Sequence, residues 1–216
     1  MIFVVIMADK GIEKLKTGTT TVGIICKDGV VLAAERKATM GYLVASKYAK
    51  KILQLDRHLA MTIAGNVGDA QALERYIKAE VKLYELEEGR KMPVKAAATL
   101  VANILYSRSY FPYYVQLLVG GYDDNSRLFS FDPTGSVIEE KEYFSTGSGS
   151  VMALGVLEDK YKRGMNIEEA KRLAVRAIKA AIERDIASGG SGIDLAVVGS
   201  RGFRMVSEEE VRNISK

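Results

Sequence analysis

Cysteine, histidine, proline and tryptophan are nearly absent from this chain of 216 residues, which has one cysteine, one histidine, three prolines and no tryptophan. Because Cys26 is alone, an intramolecular disulfide framework is excluded and a reducing compartment is favoured. One cysteine and one histidine also exclude, within a single chain, a zinc site built from thiolates and imidazoles. We expect His58 at an exposed turn between two strands and without a catalytic role. If the protein is an enzyme, its base is therefore expected to be something other than an imidazole.

Long apolar runs and blocks of like charge are missing as well. The apolar run 1–8 is shorter than the roughly 20 residues that span a bilayer, and the charged pair 9–10 follows it where a secretory signal would have its cleavage site. We therefore expect a cytoplasmic protein with no membrane partner. The 31 basic and 27 acidic residues are interspersed, so no nucleic-acid partner is expected. Hydrophobic residues make up 48% and charged residues 27% of the chain, as in folded globular proteins.

Apolar periodicity predicts an ordered succession of strands and helices. Strands are expected at 20–26, 30–34, 51–55, 59–64, 115–122, 127–131, 137–144, 193–199 and 203–206. Two helices follow residue 67 and two follow residue 150; Asn166 with Glu169, and Ser207 with Glu210, form helix-capping pairs. Paired helices between hairpins predict a single α+β domain in which two antiparallel sheets lie between helical layers.

Six short segments carry residues that could perform chemistry. Each has an ordinary interpretation when taken alone: a threonine run favours strands, a lysine cluster is usually a solvated surface, and a glycine-serine loop before a helix is also typical of phosphate binding. The segments are 18–23 (Gly-Thr-Thr-Thr-Val-Gly), 35–39, 47–51, 64–69, 147–150 and 184–190.

In this order and spacing, the six segments resemble those of proteasome β subunits, the threonine-protease branch of the N-terminal nucleophile hydrolases. The resemblance runs from about Thr17 to the C-terminus and is closest to the archaeal type. It implies a four-layer αββα sandwich and no cofactor or metal. It also implies that residues 1–18 are a propeptide, removed by autocatalytic cleavage between Gly18 and Thr19, and that residues 19–216 form one catalytic domain.

The same resemblance implies a set of site residues. Thr19 would be the nucleophile and Gly65 the oxyanion glycine. The other catalytic residues would be Glu35, Lys51, Ser148, Asp185 and Ser188, and the substrate pocket would be lined by Ala38, Ala49, Leu53, Ile63 and Val67. Two positions depart from the family pattern, which more often has aspartate at Glu35 and arginine at Lys37.

Elementary chemistry makes these roles compatible. A freed Thr19 carries its own α-amine, whose ordinary pKa of about 7.7 to 8 leaves it partly neutral near pH 7, and such an amine activates a hydroxyl nucleophile. The Lys51 ammonium would favour the neutral amine and the developing alkoxide. Glu35 would neutralise Lys51, because a buried lysine needs a partner. The N–H of Gly65 lies where a helix begins, which suits an oxyanion.

The resemblance further implies partners and a substrate class. The partners would be other β subunits in a heptameric ring, proteasome α subunits and an ATP-dependent unfoldase. The substrates would be unfolded polypeptides, cut after apolar residues with a chymotrypsin-like preference because the pocket carries no charge.

Other interpretations remain open at this point. Residues 147–150 could cradle a phosphate in a kinase or ATPase, although the chain has no G-x-x-x-x-G-K-[ST] motif. The chain could instead be a catalytically silent β subunit, or one that depends on a sister subunit for maturation. The bacterial two-ring peptidase shares the Thr-Thr start but is shorter. A second possible start codon, Met7, would shorten the leader.

The resemblance predicts that maturation depends on Thr19 itself. A Thr19→Ala chain lacks the hydroxyl that would attack the Gly18 carbonyl, so it should fold yet keep residues 1–18. Intact-mass measurement of assembled particles checks this, because the unchanged chain should then begin at Thr19. Removal of residues 1–18 from the Thr19→Ala chain by neighbouring subunits would contradict an intramolecular cleavage.

Overall fold

Two five-stranded antiparallel sheets face each other at the centre of the computed structural model, which describes residues 18–215. The expected propeptide up to residue 17, with its apolar run 1–8 and the alternative start Met7, lies outside the described residues, as does Lys216.

The first sheet contains the first and the last strands of the described chain. Its strands, in spatial order, are β10 (Tyr143–Thr146), β1 (Thr21–Cys26), β2 (Gly29–Glu35), β11 (Ile193–Gly199) and β12 (Gly202–Met205). Strand β1 pairs with β2 on one side and with β10 on the other, with Thr21 opposite both Ala34 and Thr146. Because both pairings are antiparallel, the start of β1 lies beside the ends of β2 and β10.

The second sheet is a meander of consecutive strands. It consists of β5 (Ile52–Asp56), β6 (Leu59–Gly65), β7 (Val115–Tyr122), β8 (Ser126–Phe131) and β9 (Val137–Glu140). A separate hairpin, β3 (Ala38–Met40) and β4 (Leu43–Ser46), connects the two sheets.

Helices cover the outer face of each sheet. Helices α1 (Val67–Glu88) and α2 (Val94–Ser107) pack on the second sheet, and α3 (Ser150–Lys160) and α4 (Ile167–Arg184) pack on the first. A short helix, α5 (Glu208–Ile214), ends the described chain. None of the helices within residues 18–215 is long and apolar enough to cross a membrane.

The layers are held together by three apolar clusters. One lies between the two sheets and includes Val30, Leu32 and Leu118, all with 0% exposure. The other two join each sheet to its helices. At about 25 cal/mol per Å² of buried apolar surface, burial of this kind is the main stabilising contribution to such a sandwich.

The architecture confirms the α+β sandwich and its helical layers. The capping pairs are also as expected: Asn166 accepts from the N–H of Glu169, whose side chain accepts in return, and Ser207 accepts from the N–H of Glu210. These are local interactions between residues three apart, which is why the sequence pattern predicts them.

One strand assignment was wrong. The sequence predicts a single strand over 137–144, but the chain bends at 141–142 and forms two strands in different sheets. Strand β9 pairs with β8, whereas β10 pairs with β1. The bend lies in a charged run, 139–142, that contains no glycine or proline to mark a turn, so pairing with distant strands separates the two. The hairpin β3–β4 was not predicted either.

The prediction for His58 was also wrong in part. His58 lies at the turn between β5 and β6 as expected, but it is buried, with 4% exposure. Its Nε2 lies 2.7 Å from the carbonyl oxygen of Met92, and its Nδ1 lies 2.8 Å from a carboxylate oxygen of Asp56. The segment that leads into α2 therefore covers the turn, a long-range contact that a turn motif does not reveal.

Candidate active site

Four strand ends meet at one edge of the sandwich. The start of β1 lies beside the ends of β2 and β10 in the first sheet, and the end of β6 faces them from the second sheet. Thr19 and Thr20 precede β1, Glu35 ends β2, and Gly65 ends β6. Antiparallel pairing thus brings together residues that are far apart in the sequence.

The Glu35 carboxylate is fully buried and accepts four hydrogen bonds. Its Oε1 accepts from the Lys51 ammonium and from the N–H of Thr20 at 3.2 Å. Its Oε2 accepts from the N–H of Lys37 at 2.7 Å and of Gly189 at 2.9 Å. A buried charge is tolerated when it is paired and its lone pairs are satisfied. Glu35 therefore joins Lys51 to three separate backbone segments.

Lys51 differs from the lysines that precede it. Lys47 and Lys50 are exposed, whereas Lys51 has 4% exposure and also donates to the carbonyl oxygen of Lys37 at 2.5 Å. Burial disfavours the ammonium and lowers the pKa of Lys51 from its ordinary value; the negative charge of Glu35 opposes this shift, with a smaller contribution from Asp185. The ammonium is thus less firmly protonated than that of a surface lysine.

A chain of hydroxyl groups leads away from Thr19. The N–H of Thr19 lies 3.2 Å from the Ser148 Oγ. The Ser148 and Ser188 hydroxyls each donate to the same Asp185 oxygen at 2.6 Å. The Thr20 hydroxyl lies 2.6 Å from the Ser188 Oγ, and because the Ser188 proton points to Asp185, Thr20 is the donor. Thr20 also links this network to Glu35 through its N–H.

The bond before Thr19 is tightly enclosed. The Thr19 hydroxyl donates to the Gly18 carbonyl oxygen at 2.6 Å. A Cβ at position 18 would lie 1.6 Å from the Ala187 Cβ, so only glycine fits at this position unless the 186–188 loop moves. Lys37 holds that loop, since its ammonium donates to the carbonyl oxygens of Ile186 at 2.6 Å and Ser188 at 3.3 Å.

Gly65 lies at the mouth of a cleft beside Ser148. Its φ is +121°, and a Cβ would lie 2.2 Å from the carbonyl oxygen of Tyr114. The N–H of Ile63 donates to the carbonyl oxygen of Lys51 at 3.0 Å. Because N–H directions alternate along a strand, residues two apart direct their N–H groups to the same side. The N–H of Gly65 is therefore directed to the side of β6 on which Lys51 lies. The cleft, of about 340 Å³, is lined by Ala64, Gly65, Tyr114, Val115, Gln116, Pro133, Gly147 and Ser148.

The five expected pocket residues lie on several elements around the start of α1 and the ends of β2 and β5. Ala38 begins β3, Leu53 lies on β5, Ile63 lies on β6 and Val67 begins α1; Ala49 donates its N–H to the carbonyl oxygen of Arg36 at 2.8 Å. Ile63 is buried in the apolar cluster under α1, whereas Val67 is 45% exposed. The cleft beside Gly65 is lined by other residues.

The structure adds residues that the sequence did not single out for the site. Thr20 bridges the two networks, Gly189 donates to Glu35, and Gly147 lies so close to Thr19 that a Cβ would be 2.1 Å from the Thr19 carbonyl oxygen. Each lies within a segment already identified and close to an expected site residue, so proximity in sequence was the available signal. Among residues 18–215, no group of three or more His, Cys, Asp or Glu side chains could hold a metal ion.

Comparison with known proteins bears on the family of this chain. The family model described as proteasome subunit matches residues 15–198. The chain belongs to the proteasome subunit family. It is 54% identical over 203 residues to the proteasome subunit beta of Archaeoglobus fulgidus, covering 94% of this chain and 95% of the relative. It is 51% identical over 207 residues to that of Methanothermobacter thermautotrophicus, covering 95% and 97%.

This membership establishes the general activity. The chain is a proteasome β subunit of archaeal type, and proteasome β subunits are threonine peptidases, so it is a hydrolase of the proteasome core. It assembles into that core with other subunits. The αββα sandwich is the N-terminal nucleophile hydrolase fold of the family.

The contact between Gly147 and Thr19 can be tested in this β subunit. Gly147→Ala places a Cβ against the Thr19 carbonyl oxygen and should displace Thr19, lowering kcat about 100-fold, the loss expected for a displacement of about 1 Å. Gly164→Ala is the matched control, because Gly164 also has a positive φ, +79°, but a Cβ there meets nothing within 4 Å. Peptidase kinetics of both variants check the prediction, and equal kcat values would contradict it.

Proposed function

We propose that the nucleophile of this threonine peptidase is the Thr19 hydroxyl and that its base is the α-amine freed when residues 1–18 are removed. The observation that supports this most is the contact between the Thr19 nitrogen and the Ser148 Oγ, at 3.2 Å, in a hydroxyl chain that ends on Asp185. After cleavage, the same nitrogen would be an amine held by the same serine.

In the proposed reaction, the neutral Thr19 amine takes the hydroxyl proton as Oγ1 attacks the substrate carbonyl carbon. The protonated amine then gives that proton to the leaving peptide nitrogen, and the carbon–nitrogen bond breaks to leave an ester on Thr19. Water attacks the ester, giving a proton to the amine. The ester bond breaks, the proton returns to Oγ1, and the carboxylic acid product leaves.

The surrounding residues support this reaction electrostatically. The Lys51 ammonium favours the neutral amine and the developing alkoxide, and Glu35 holds Lys51 in place. The Gly65 N–H would donate to the oxyanion near the start of α1, where the helix dipole is positive; such a donor contributes about 3 to 4 kcal/mol of barrier lowering. Ser148, Asp185 and Ser188 would orient the amine through their hydrogen bonds.

Maturation would use the same nucleophile. The Thr19 hydroxyl lies beside the Gly18 carbonyl, its oxygen 2.6 Å from the carbonyl oxygen. Attack on the Gly18 carbonyl carbon would transfer the acyl group from the Thr19 nitrogen to its hydroxyl oxygen, and water would then hydrolyse that ester. Residues 19–216 would remain as one catalytic domain with a free Thr19 amine.

We further propose the assembly that the family resemblance implies: two heptameric β rings between two rings of α subunits, fed with unfolded polypeptides by an ATP-dependent unfoldase in the cytoplasm. An enclosed chamber would spare folded proteins from a peptidase with little selectivity. Exposed apolar side chains on the hairpin β3–β4, Tyr42 at 93% and Leu43 at 61%, are consistent with burial against another subunit.

The buried ion pair gives a test of the proposed roles. Lys51→Ala and Glu35→Ala should each lower kcat by at least about 100-fold, because one removes the charge beside Thr19 and the other leaves Lys51 unpaired and displaced. The double variant should lose far less than the sum of the two losses, because the residues act as a unit. Lys51→Arg should not restore activity, since a guanidinium differs in shape and hydration.

A second ion pair serves as the control. Lys78 and Glu74 form an exposed pair on α1, with 2.6 Å between their charged atoms, so Lys78→Ala and Glu74→Ala should leave kcat unchanged. Activities are divided by the fraction of chains that begin at Thr19 in intact-mass spectra, which separates a catalytic loss from failed maturation. Additive losses for Lys51→Ala and Glu35→Ala on the logarithmic scale would contradict the coupling.

The substrate preference is a separate prediction. The five pocket residues carry no charge, and an apolar pocket gains about 25 cal/mol per Å² of apolar surface that it buries. We expect chymotrypsin-like cleavage after Leu, Tyr and Phe, with weak cleavage after acidic or basic residues. Fluorogenic peptides that differ only at that residue measure this on mature particles.

Two charge substitutions sharpen the measurement. Ala49→Glu places a carboxylate at the expected pocket and should raise cleavage after Lys and Arg relative to Leu. Ala45→Glu adds the same charge on the exposed strand β4 and should leave the preference unchanged. A preference of the unchanged protein for Arg or Glu would show that the pocket is elsewhere, even with Thr19 as nucleophile.

A further inference from the structure

Three buried threonine hydroxyls connect the two sheets behind the site. The Thr21 Oγ1, on β1, lies 2.8 Å from the Thr62 Oγ1, on β6, and 2.8 Å from the Thr146 Oγ1, on β10. Their exposures are 0% for Thr21, 0% for Thr62 and 4% for Thr146. We call these three residues the threonine cluster.

Each member of the cluster lies close in sequence to a residue of the proposed site. Thr21 follows the nucleophile Thr19 by two positions, and Thr146 precedes Ser148 by two. Thr62 precedes the oxyanion glycine, Gly65, by three. A second bond ties the cluster to the first sheet, because the Ser145 hydroxyl donates to the Thr21 carbonyl oxygen at 2.7 Å.

The cluster is polar where its surroundings are apolar. The neighbouring contacts between the sheets are made by side chains such as Leu32, Leu118 and Ala60. Apolar contact holds the two sheets together but does not depend on the direction of approach. A hydrogen bond, by contrast, weakens steeply as its angle departs from linearity. The hydroxyls can therefore define a relative position of the sheets that apolar packing alone defines less sharply.

We propose that the threonine cluster is a positioning device that fixes the nucleophile strand β1 and the serine strand β10 over the oxyanion strand β6. It sets the separation between the Thr19 hydroxyl and the Gly65 N–H, and so acts on catalysis without touching the substrate. This inference rests on the proposed function, in which Thr19 and Gly65 perform the reaction. Displacement of a reacting group by about 1 Å can cost about 100-fold in rate.

The two hydrogen bonds of the Thr21 hydroxyl differ in how much strand pairing supports them. Each hydroxyl has one proton, so Thr21 can donate to one partner and accept from the other. The Thr21–Thr146 bond lies within the first sheet, where backbone pairing of β1 with β10 already fixes the register. The Thr21–Thr62 bond crosses between the sheets, and among the described strands none of one sheet pairs with a strand of the other. Loss of the Thr62 hydroxyl should therefore affect catalysis more than loss of the Thr146 hydroxyl.

The decisive variant replaces all three threonines with valine. Valine has the same shape as threonine, and removing every member leaves no cluster hydroxyl unpaired, so stability should change little. We expect kcat to fall about 10- to 100-fold with KM and the melting temperature nearly unchanged. Thr62→Val alone should lower kcat, Thr62→Ser should restore it, and Thr146→Val should have the smaller effect.

Ser130→Ala is the matched control. Ser130 is a buried hydroxyl on β8 of the same sheet as Thr62, but it donates within that sheet to Glu140 at 2.5 Å. Its removal should leave kcat unchanged, whatever it does to the melting temperature. All values of kcat are referred to the number of chains that begin at Thr19, measured by intact mass on particles assembled with α subunits.

The outcomes separate this inference from the proposed function. If Thr19→Ala is inactive and the triple valine variant keeps the unchanged kcat, the positioning role is wrong while the nucleophile stands. If Thr19→Ala remains active, both fail. A loss that appears in KM, or that Thr62→Ser does not reverse, also overturns the positioning role. Should the triple variant not assemble, Thr62→Val is measured instead under the same criteria.

Discussion

A lysine ammonium can be buried only beside a group that neutralises it, and at Lys51 that group is a carboxylate with no exposed surface. Glu35 can be buried in turn because Thr20, Lys37 and Gly189 supply N–H donors from three segments. The electrostatic requirement of one pair therefore brings the approach to β1, the end of β2 and the loop after α4 to the same point. Strand pairing of β1 with β2 and the bond from the Arg36 N–H to the Gly189 carbonyl oxygen hold the same segments together through the backbone.

The hydroxyl network around Asp185 is connected to the Glu35–Lys51 ion pair. Thr20 donates its N–H to Glu35 and its hydroxyl to Ser188, so the ion pair and the Asp185 network share one residue next to Thr19. Neutral hydroxyls suit this position because they can donate and accept without the cost of burying a further charge. The threonine cluster extends the same principle into the space between the sheets. The hydroxyl network and the threonine cluster are thus polar groups within a region that is otherwise packed with apolar side chains.

Much of this arrangement followed from local patterns. The paired helices, most strands and the caps at Asn166 and Ser207 were predicted, because they depend on residues a few positions apart. The exposure of His58 and the single strand over 137–144 were predicted wrongly for the same reason. The burial of His58 depends on Met92, and the division of 137–144 depends on pairing with β8 and β1. Neither dependence leaves a trace in the neighbouring sequence.

The sequence by itself determined that the chain has one histidine, expected at a turn, and so favoured a base other than imidazole; through its motifs it carried the resemblance to proteasome β subunits, which implies a threonine nucleophile. It also determined the order of the motifs along the chain. Only the tertiary structure decided that Lys51, alone in its lysine cluster, is buried, and that Thr21 meets Thr62 and Thr146. Burial and hydroxyl contacts depend on surfaces supplied by strands far away in the sequence, whereas turns, caps and strand propensity depend on neighbours along the chain.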